Sequence, residues 1–524
     1  MQHESTHQVQ PRSSVSPWLI AGFFLTFALF AYVLIRWPDN FFADDSYFYF
    51  QVAWNIARGM GSTFNNVMPT NGYHPLWMLV CTLVFKLFPT KDSAIHGIGL
   101  AIAVVNAGAL FVLARLLRKV APEAWWAAFL LYMPFCFTTQ LGTEGALSGL
   151  CLVCLMLTGY RLTSLPDWTS GILFTLSAAL AVLSRLDNIF IVTFVYLAVF
   201  FLAPTETRSA VRRLQILLLP ICIVLWGGYV TSNVVWFGTI QPISGMLKAH
   251  SEHHALFTNI PHVGQLAMLI ILPCIVLEAL GQRDNFFRCI EVPFTAGVLT
   301  HAIYISLVMS AETRWTWYYT SWSLLASVLL ARCVARLLRT TSLARFAPAL
   351  SAVTVLALLA SWYMASYRRF GHYKPEQRGA EYQANIPGKG MQVVLAFDKP
   401  GRAAYYTTAQ IIALDGLMGD LKFQHDLASR GIAAFDRENK VDSFMGPPQP
   451  LDRLHADAFC DKLYLTSLMF HCVQTGPEAW QITSVTVYAR LGIVPAGTLE
   501  LKPENMVTNI PNDVAVWKLE TSAH

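Results

Sequence analysis

The chain of 524 residues is 55% hydrophobic and only 13% charged, with a mean hydropathy of +0.45, whereas soluble domains carry roughly 25% charged residues. That composition excludes an ordinary soluble protein and marks an integral membrane protein. The formal charge of +5 is read as basic residues retained on the cytoplasmic side, not as a nucleic-acid surface.

Residues 1–16 are polar and are expected to form a disordered cytoplasmic N-terminus. The apolar run from Trp18 to Trp37 follows without a small-x-small cleavage site, so it reads as an uncleaved signal anchor. Directly behind it, "FFADDSYFYFQVAW" (residues 41–54) sets two adjacent carboxylates, Asp44 and Asp45, before an aromatic amphipathic segment. The next apolar run, His74 to Phe88, rises only about 22 Å as a helix against a hydrocarbon core of about 30 Å. Further stretches of spanning length lie near 95–117, 122–141, 143–162, 168–186, 188–204, 213–237, 262–281, 290–310, 316–338 and 345–366. With the anchor they make about eleven spans.

Charge bias decides the status of the short run. If it does not cross, Arg115/Arg118/Lys119, Arg208/Arg212/Arg213, Arg283/Arg288 and Arg332/Arg336/Arg339/Arg345 all share the side of the N-terminus, the pattern expected of cytoplasmic loops. If it crosses, every cluster falls outside. The non-crossing reading makes residues 17–366 the membrane domain, with an outward first loop over 38–94. Residues 367–524 then form an outward mixed α/β domain, with strand-like "MQVVLAF", "QIIALDG", "KLYLTS" and "AVWKLE".

Of ten cysteines, eight lie in or beside apolar spans, where a thiol is a small buried hydrophobe. The Cys151/Cys154 pair has no second pair to complete a zinc site. Cys460 and Cys472 sit in the outward domain, where an oxidising compartment permits a bridge between them.

Ionisable groups near a membrane are costly and are the first functional candidates. On the outward side they are Asp44, Asp45, His74 in "TNGYHPLW", Glu144 in "GTEGAL", Arg185 and Asp187 in "SRLDN", Lys248 with His250, His253 and His254 in "MLKAHSEHH", and Arg314 in "AETRWTWYY". Each has a plainer alternative: a solvated loop acid, a charge at a helix N-terminus for Glu144, a local Arg185–Asp187 pair. Together, carboxylates and dispersed cations at headgroup level suit transfer of a group from a lipid phosphate to a hydroxyl. The leaving phosphate needs cations and the attacking hydroxyl needs a base.

With these motifs and "AFDKPGRAAYYTTAQIIALDGLMGD" near the C-terminus, the chain resembles the GT-C superfamily of polytopic glycosyltransferases, which use polyprenyl-phosphate sugars. The pattern looks most like cell-wall arabinofuranosyltransferases, and more distantly like lipid A aminoarabinose transferases and protein O-mannosyltransferases. The resemblance implies a bacterial inner-membrane enzyme with a periplasmic C-terminal domain, a polyprenyl-phosphate-linked sugar as donor, no required cofactor or metal, and a glycan, lipid or protein acceptor. It maps the base onto Asp44, with Asp45 the alternate, and a second carboxylate onto Glu144. Some relatives bind phosphate through Lys-Pro-Pro where this chain has His74-Pro75, which leaves Lys248 and Arg314 as the better phosphate cations. His74, Arg185, Asp187 and Tyr73 complete the expected substrate-binding set. The rival readings are a lipid or glycan transporter and a non-catalytic envelope assembly factor.

Overall fold

The computed structural model describes residues 17–36, 41–126, 132–139, 142–249, 260–281, 284–309, 314–340, 382, 393–397, 399–464, 467–510 and 514–519. In chain order, α1 (Pro17–Arg36) leads to a first loop carrying α2 (Asp44–Ala57) and α3 (Pro75–Leu87). Then come α4 (Lys91–Val120), α5 (Met133–Thr139), α6 (Gly145–Ser164), α7 (Trp168–Ser184), α8 (Ile189–Leu202) and α9 (Thr205–Phe237). A short α10 (Ile243–Ala249), α11 (His262–Leu280), α12 (Val292–Val308) and α13 (Thr320–Thr340) complete the bundle.

Among the described residues, seven helices are long and apolar enough to cross a membrane: α1, α4, α6, α9, α11, α12 with the π turn before it, and α13. The sequence predicted about eleven spans, and the differences have local causes. Helices α7 and α8 are apolar but only 17 and 14 residues long. The stretch near 122–141 is not one continuous helix: it holds a 3-10 turn at Pro122–Ala124 and the seven-residue α5, since Pro122 and Pro134 each remove a backbone donor. The expected span at 345–366, the disordered N-terminus over 1–16, the boundary at 366–367, and Arg283, Arg345, His250, His253 and His254 lie outside the described residues.

Helix α3 is held against the first loop at both of its ends. Its first turn is tied to the first loop by His74 N–H donating to the Tyr49 hydroxyl (3.2 Å), and its far end by Arg58 donating to the carbonyl of Pro89 (2.8 Å). Following the chain from there, one end of the bundle gathers the C-termini of α1, α7, α9 and α12 and the N-termini of α4, α6, α8, α11 and α13. The basic clusters at the ends of α4 and α13 and the start of α9 lie at the opposite end. Capping fixes several of these ends: Thr90 and Ser93 form a capping box on α4, and the Asp167 side chain accepts from Ser170 N–H at the start of α7.

The C-terminal region is a mixed α/β domain of β1 (Val393–Ala396), α14 (Pro400–Tyr406), β2 (Gln410–Ala413), α15 (Leu421–Arg430), α16 (Ile432–Asn439), β3 (Val441–Gly446), α17 (Arg453–Phe459), β4 (Leu463–Tyr464), β5 (Leu468–Gly476), β6 (Ala479–Ala489), β7 (Val494–Glu500), β8 (Met506–Ile510) and β9 (Val514–Lys518). One sheet has the order β2-β1-β3-β9-β8, parallel through its first three strands and antiparallel after them; the other is the antiparallel β4-β5-β6-β7. Cys460 and Cys472 are bridged, with Cα atoms 5.6 Å apart.

Helix α14 joins this domain to the first loop and is held at both ends. At its start the N–H groups of Gly401 and Arg402 donate to the Asp44 carboxylate at 3.0 and 2.8 Å. At its finish Lys91 Nζ donates to the carbonyls of Tyr405 (2.7 Å) and Ala404 (3.3 Å), and the Tyr405 hydroxyl donates to the Lys91 carbonyl (2.6 Å). An acid at the positive end and an amine at the negative end both complement the helix dipole. A side chain at position 401 would sit 2.4 Å from the Asp44 carbonyl, so only glycine fits. Asp44→Ala strands two backbone donors at about 1–3 kcal/mol each where they are buried. The variant is expected to melt at lower temperature in thermal unfolding of the solubilised protein and to be cleaved faster by protease within residues 367–524; wild-type behaviour in both assays contradicts the clamp.

Candidate functional site

A cavity of ≈ 280 Å³ opens at the end of the bundle where the first loop, the ends of α7 and α12, the helix α10 and the C-terminal domain meet. Asp45, Tyr73, His74, Glu144, Arg185, Asp187 and Lys248 all line it. Seven residues predicted from separate stretches of sequence are thus brought to one place.

Two predicted residues are not, and each has a physical reason. Asp44, the residue expected to be the base, spends both carboxylate oxygens on the start of α14. Neighbours on a helix point about 100° apart, so when Asp44 faces the C-terminal domain, Asp45 faces the cavity. Arg314, expected to bind phosphate, instead donates through Nη2 to the carbonyls of Ser306 (3.0 Å) and Met309 (3.3 Å), closing the C-terminal turn of α12.

The floor of the cavity is a buried ionic network centred on Arg185. Its Nε and Nη2 grip Asp187 Oδ1 and Oδ2 at 2.8 and 2.9 Å, and its Nη1 donates to Glu144 Oε1 at 2.7 Å and to the Trp317 carbonyl at 3.3 Å. The guanidinium also lies 4.2 Å from the centroid of the Tyr318 ring. Arg185 and Glu144 side chains are 3% and 4% exposed, so this is a desolvated pair whose worth depends on complete hydrogen bonding. Completion comes from Tyr49, which donates to Glu144 Oε2 at 2.9 Å, and from His301 Nε2, 2.9 Å from Asp187 Oδ2. Burial, then the Glu144 charge, hold the Tyr49 hydroxyl well above the ordinary tyrosine range, so it stays a donor.

His74 is set as a neutral donor toward the cavity. Its Nδ1 accepts the Leu186 N–H at 3.2 Å, which places the proton on Nε2, 3.6 Å from Glu144 Oε1. Burial first, with Arg185 and Lys248 adding, lowers its proton affinity despite Glu144 and Asp187.

Asp45 differs from the other acids of the cavity: among the described residues its carboxylate has no hydrogen-bond or ion-pair partner. Burial raises it to about 6, against the pull of Lys248 and with the push of Asp415 and Glu144. Asp44 is raised further, to about 7, by burial working against Arg402 and the two backbone donors. Lys248 donates to the Tyr318 hydroxyl at 3.3 Å and lies 5.7 Å from that ring's centroid; burial opposes its charge, but Tyr318, Asp45 and Glu144 hold its proton affinity above the usual lysine value. The cavity therefore presents an uncommitted acceptor, Asp45, and uncommitted donors on Lys248 and Tyr318.

The sequence reading missed Tyr318, Trp317 and His301. A histidine in the middle of the apolar stretch "FTAGVLTHAIYISLV" is itself a signal, because an ionisable residue inside a span needs a partner. Tyr318 lies four residues beyond the named Arg314, in a segment whose aromatic content alone suggests interface anchoring.

No protein-family model and no curated protein sequence matches the chain. The structure is similar to the single-particle cryo-EM structure of arabinosyltransferase EmbB from Mycobacterium smegmatis at 13% sequence identity and a TM-score of 0.43, over 64% of this chain and 32% of that one. The chain thus spans about a third of the length of that structure.

Removing Arg185 leaves Glu144 and Asp187 buried without their cation, a loss on the order of 3–5 kcal/mol for a broken buried pair. Arg185→Ala is expected to lower the melting temperature of the solubilised protein strongly, and Arg185→Lys to recover only part, because an ammonium cannot reproduce the two-pronged contact with Asp187. A wild-type melting curve for Arg185→Ala contradicts the network.

Proposed function

We propose that this protein is a GT-C-type membrane glycosyltransferase that moves a sugar from a polyprenyl-phosphate donor to an acceptor hydroxyl on the extracytoplasmic face of a bacterial inner membrane. The observation that carries the reading is the pairing, in one cavity, of an unspent carboxylate on Asp45 with the unspent donors of Lys248 and Tyr318. The basic clusters sit at the far end of the bundle, and basic residues favour the cytoplasm; the cavity then faces outward.

Asp45 takes the proton of the acceptor hydroxyl as that oxygen forms a bond to the anomeric carbon, while the bond from that carbon to the phosphate oxygen breaks on the opposite face. The anomeric configuration inverts. The departing lipid phosphate keeps the electron pair, and its growing charge is met by the Lys248 ammonium and the Tyr318 hydroxyl. Arg185 acts through Tyr318 and through Glu144 and Asp187, holding the cavity wall in place instead of contacting the phosphate itself. His74 offers its Nε2–H to a sugar hydroxyl. One fixed cation, the Lys248 ammonium, together with the Tyr318 hydroxyl serves the single phosphate. A base near neutrality is well matched to its task, and holding both partners in one cavity replaces random encounter.

The test is transfer of labelled sugar by protein in nanodiscs from a panel of polyprenyl-phosphate donors to glycan, lipid and protein acceptors, with the product's anomeric configuration determined. Transfer with inversion is expected; a product that retains configuration, or no transfer from any donor, contradicts the proposal. The rate is expected to rise as pH increases through about 6, where Asp45 loses its proton, and to level off above. Since Lys248 lowers the proton affinity of Asp45, Lys248→Met should move that midpoint upward while weakening donor binding. A midpoint unmoved in Lys248→Met is inconsistent with the roles assigned.

A further inference from the structure

Helix α10, which carries Lys248, is short and has two faces. Ile243 and Leu247, one turn apart, pack with Leu417 of the C-terminal domain. Ser244 and Lys248, also one turn apart, line the cavity, as do Gln241 and Pro242 just before the helix. Residues at this spacing share one side of a helix, so a hydroxyl and an ammonium stand together on the cavity wall. Among the described residues the side chains of Ser244 and Gln241 make no hydrogen bond, which leaves both open to whatever enters.

So short a helix does not hold itself in place, because helices of this length are unstable in isolation. Its start is held by one buried amide. Asn71, 3% exposed, belongs to the "TNGYH" segment of the first loop that presents Tyr73 and His74. Its Oδ1 accepts the N–H of Ile243, the first residue of α10, at 3.0 Å. Its Nδ2 donates to Thr239 Oγ1 at 3.1 Å and to Asn233 Oδ1 at 3.3 Å. Asn233 is in the last turns of α9, and Thr239 follows Gly238, which ends that helix at φ +69. The amide thus reaches across the turn between the helices and fastens both of its ends. A carboxamide can accept and donate at once, whereas a carboxylate only accepts. The neighbouring Gly72 is seated under the Leu417 carbonyl, which occupies the place of a Cβ, so the segment that bears Asn71 is itself fixed.

We infer that Asn71 is a positioning residue for the site, fixing α10 so that the Ser244 hydroxyl joins the Lys248 ammonium in holding the donor phosphate. That the ligand is a phosphate rests on the glycosyltransferase reading; that Asn71 sets α10 does not. Lys248 meets the Tyr318 hydroxyl at 3.3 Å from a helix whose start is pinned, so the cation already stands where the departing group will be. With Asn71 cut back, the Ile243 N–H loses its acceptor and α10 samples other placements. Apparent affinity for the anion then falls with the fraction of time in which the grip is assembled. Asn71 acts only through α10 and touches no reacting atom.

The experiment titrates farnesyl phosphate into the full chain in detergent by calorimetry, with farnesol as the control that lacks the anion. Asn71→Ala is expected to bind farnesyl phosphate about ten-fold more weakly, as for a grip assembled a tenth of the time. Thr239→Val, which removes one of the three bonds, should fall between that variant and wild type. Ser244→Ala should lose about 2–10-fold, the net worth of one hydrogen bond, and farnesol should bind all of them alike. Because Asn71 works through Lys248, the double variant Asn71→Ala/Lys248→Met should bind no more weakly than Lys248→Met with Asn71 intact, a coupling that a general loss of stability does not produce. Hydrogen exchange gives a reading without ligand: the amides of Ile243–Ala249 should exchange faster in Asn71→Ala, and those of α7 and α8 at the wild-type rate. Additive losses in the double variant, wild-type affinity in Ser244→Ala, or unchanged exchange in α10 overturns the inference. None of these readings needs turnover. A protein that shows them yet transfers no sugar counts against the glycosyltransferase proposal and leaves Asn71 where it is placed here, whereas sugar transfer by Asn71→Ala at wild-type KM and kcat overturns the inference and leaves that proposal standing.

Discussion

Everything at the functional end of this molecule depends on how one short helix is gripped. The seven residues of α14 have an acid at one end and an amine at the other, Asp44 and Lys91, taken from opposite edges of the first loop. Each contact alone is an ordinary charge-assisted hydrogen bond. Together they fix the axis of the helix, and with it the domain whose next turn forms part of the cavity. The same grip turns Asp44 away from the cavity and so turns Asp45 into it. Two adjacent acids thus face different places, Asp44 the start of α14 and Asp45 the cavity, because a helix cannot point neighbours the same way.

The second constraint is electrostatic economy inside the cavity. Arg185 satisfies two acids, Tyr49 takes the remaining oxygen of Glu144, His301 adds a second contact to Asp187 Oδ2, and the Leu186 N–H occupies His74 Nδ1. A network this complete contributes rigidity, and it leaves little that can bind anything. What it spares is therefore informative: a carboxylate on one wall, and an ammonium with a phenol on another. Hydrogen bonds that a protein leaves unmade in a buried place are the ones a ligand can make.

Much of the architecture was legible in the sequence because bilayer thickness is a strong constraint. Apolar runs gave α1, α4, α6, α9, α11, α12 and α13, and the short His74–Phe88 run is the helix α3. Proline broke the 122–141 stretch in a way that hydropathy does not register. In the C-terminal domain β1, β2, β4 and β9 were readable as apolar runs, whereas β5, β6 and β7 have half-exposed, polar faces and carry a weaker signal. Seven of nine candidate residues meet in the cavity, since ionisable side chains at a membrane surface are rare and have reasons to be there. The choice between Asp44 and Asp45 was not legible. It depends on a contact with residues more than 350 positions away, and no local pattern encodes which of two adjacent acids a distant helix will claim.

The most direct measurement compares Asp45→Asn with Asp44→Asn at equal folded amounts, in transfer of labelled sugar from a polyprenyl-phosphate donor. Asp45→Asn is expected to lose transfer by a factor on the order of 10²–10⁴, the usual contribution of a general base, while donor binding persists. Asp44→Asn is expected to keep the chemistry and lose stability. The reverse pattern, with transfer lost at Asp44 and retained at Asp45, contradicts the division of labour on which this account rests.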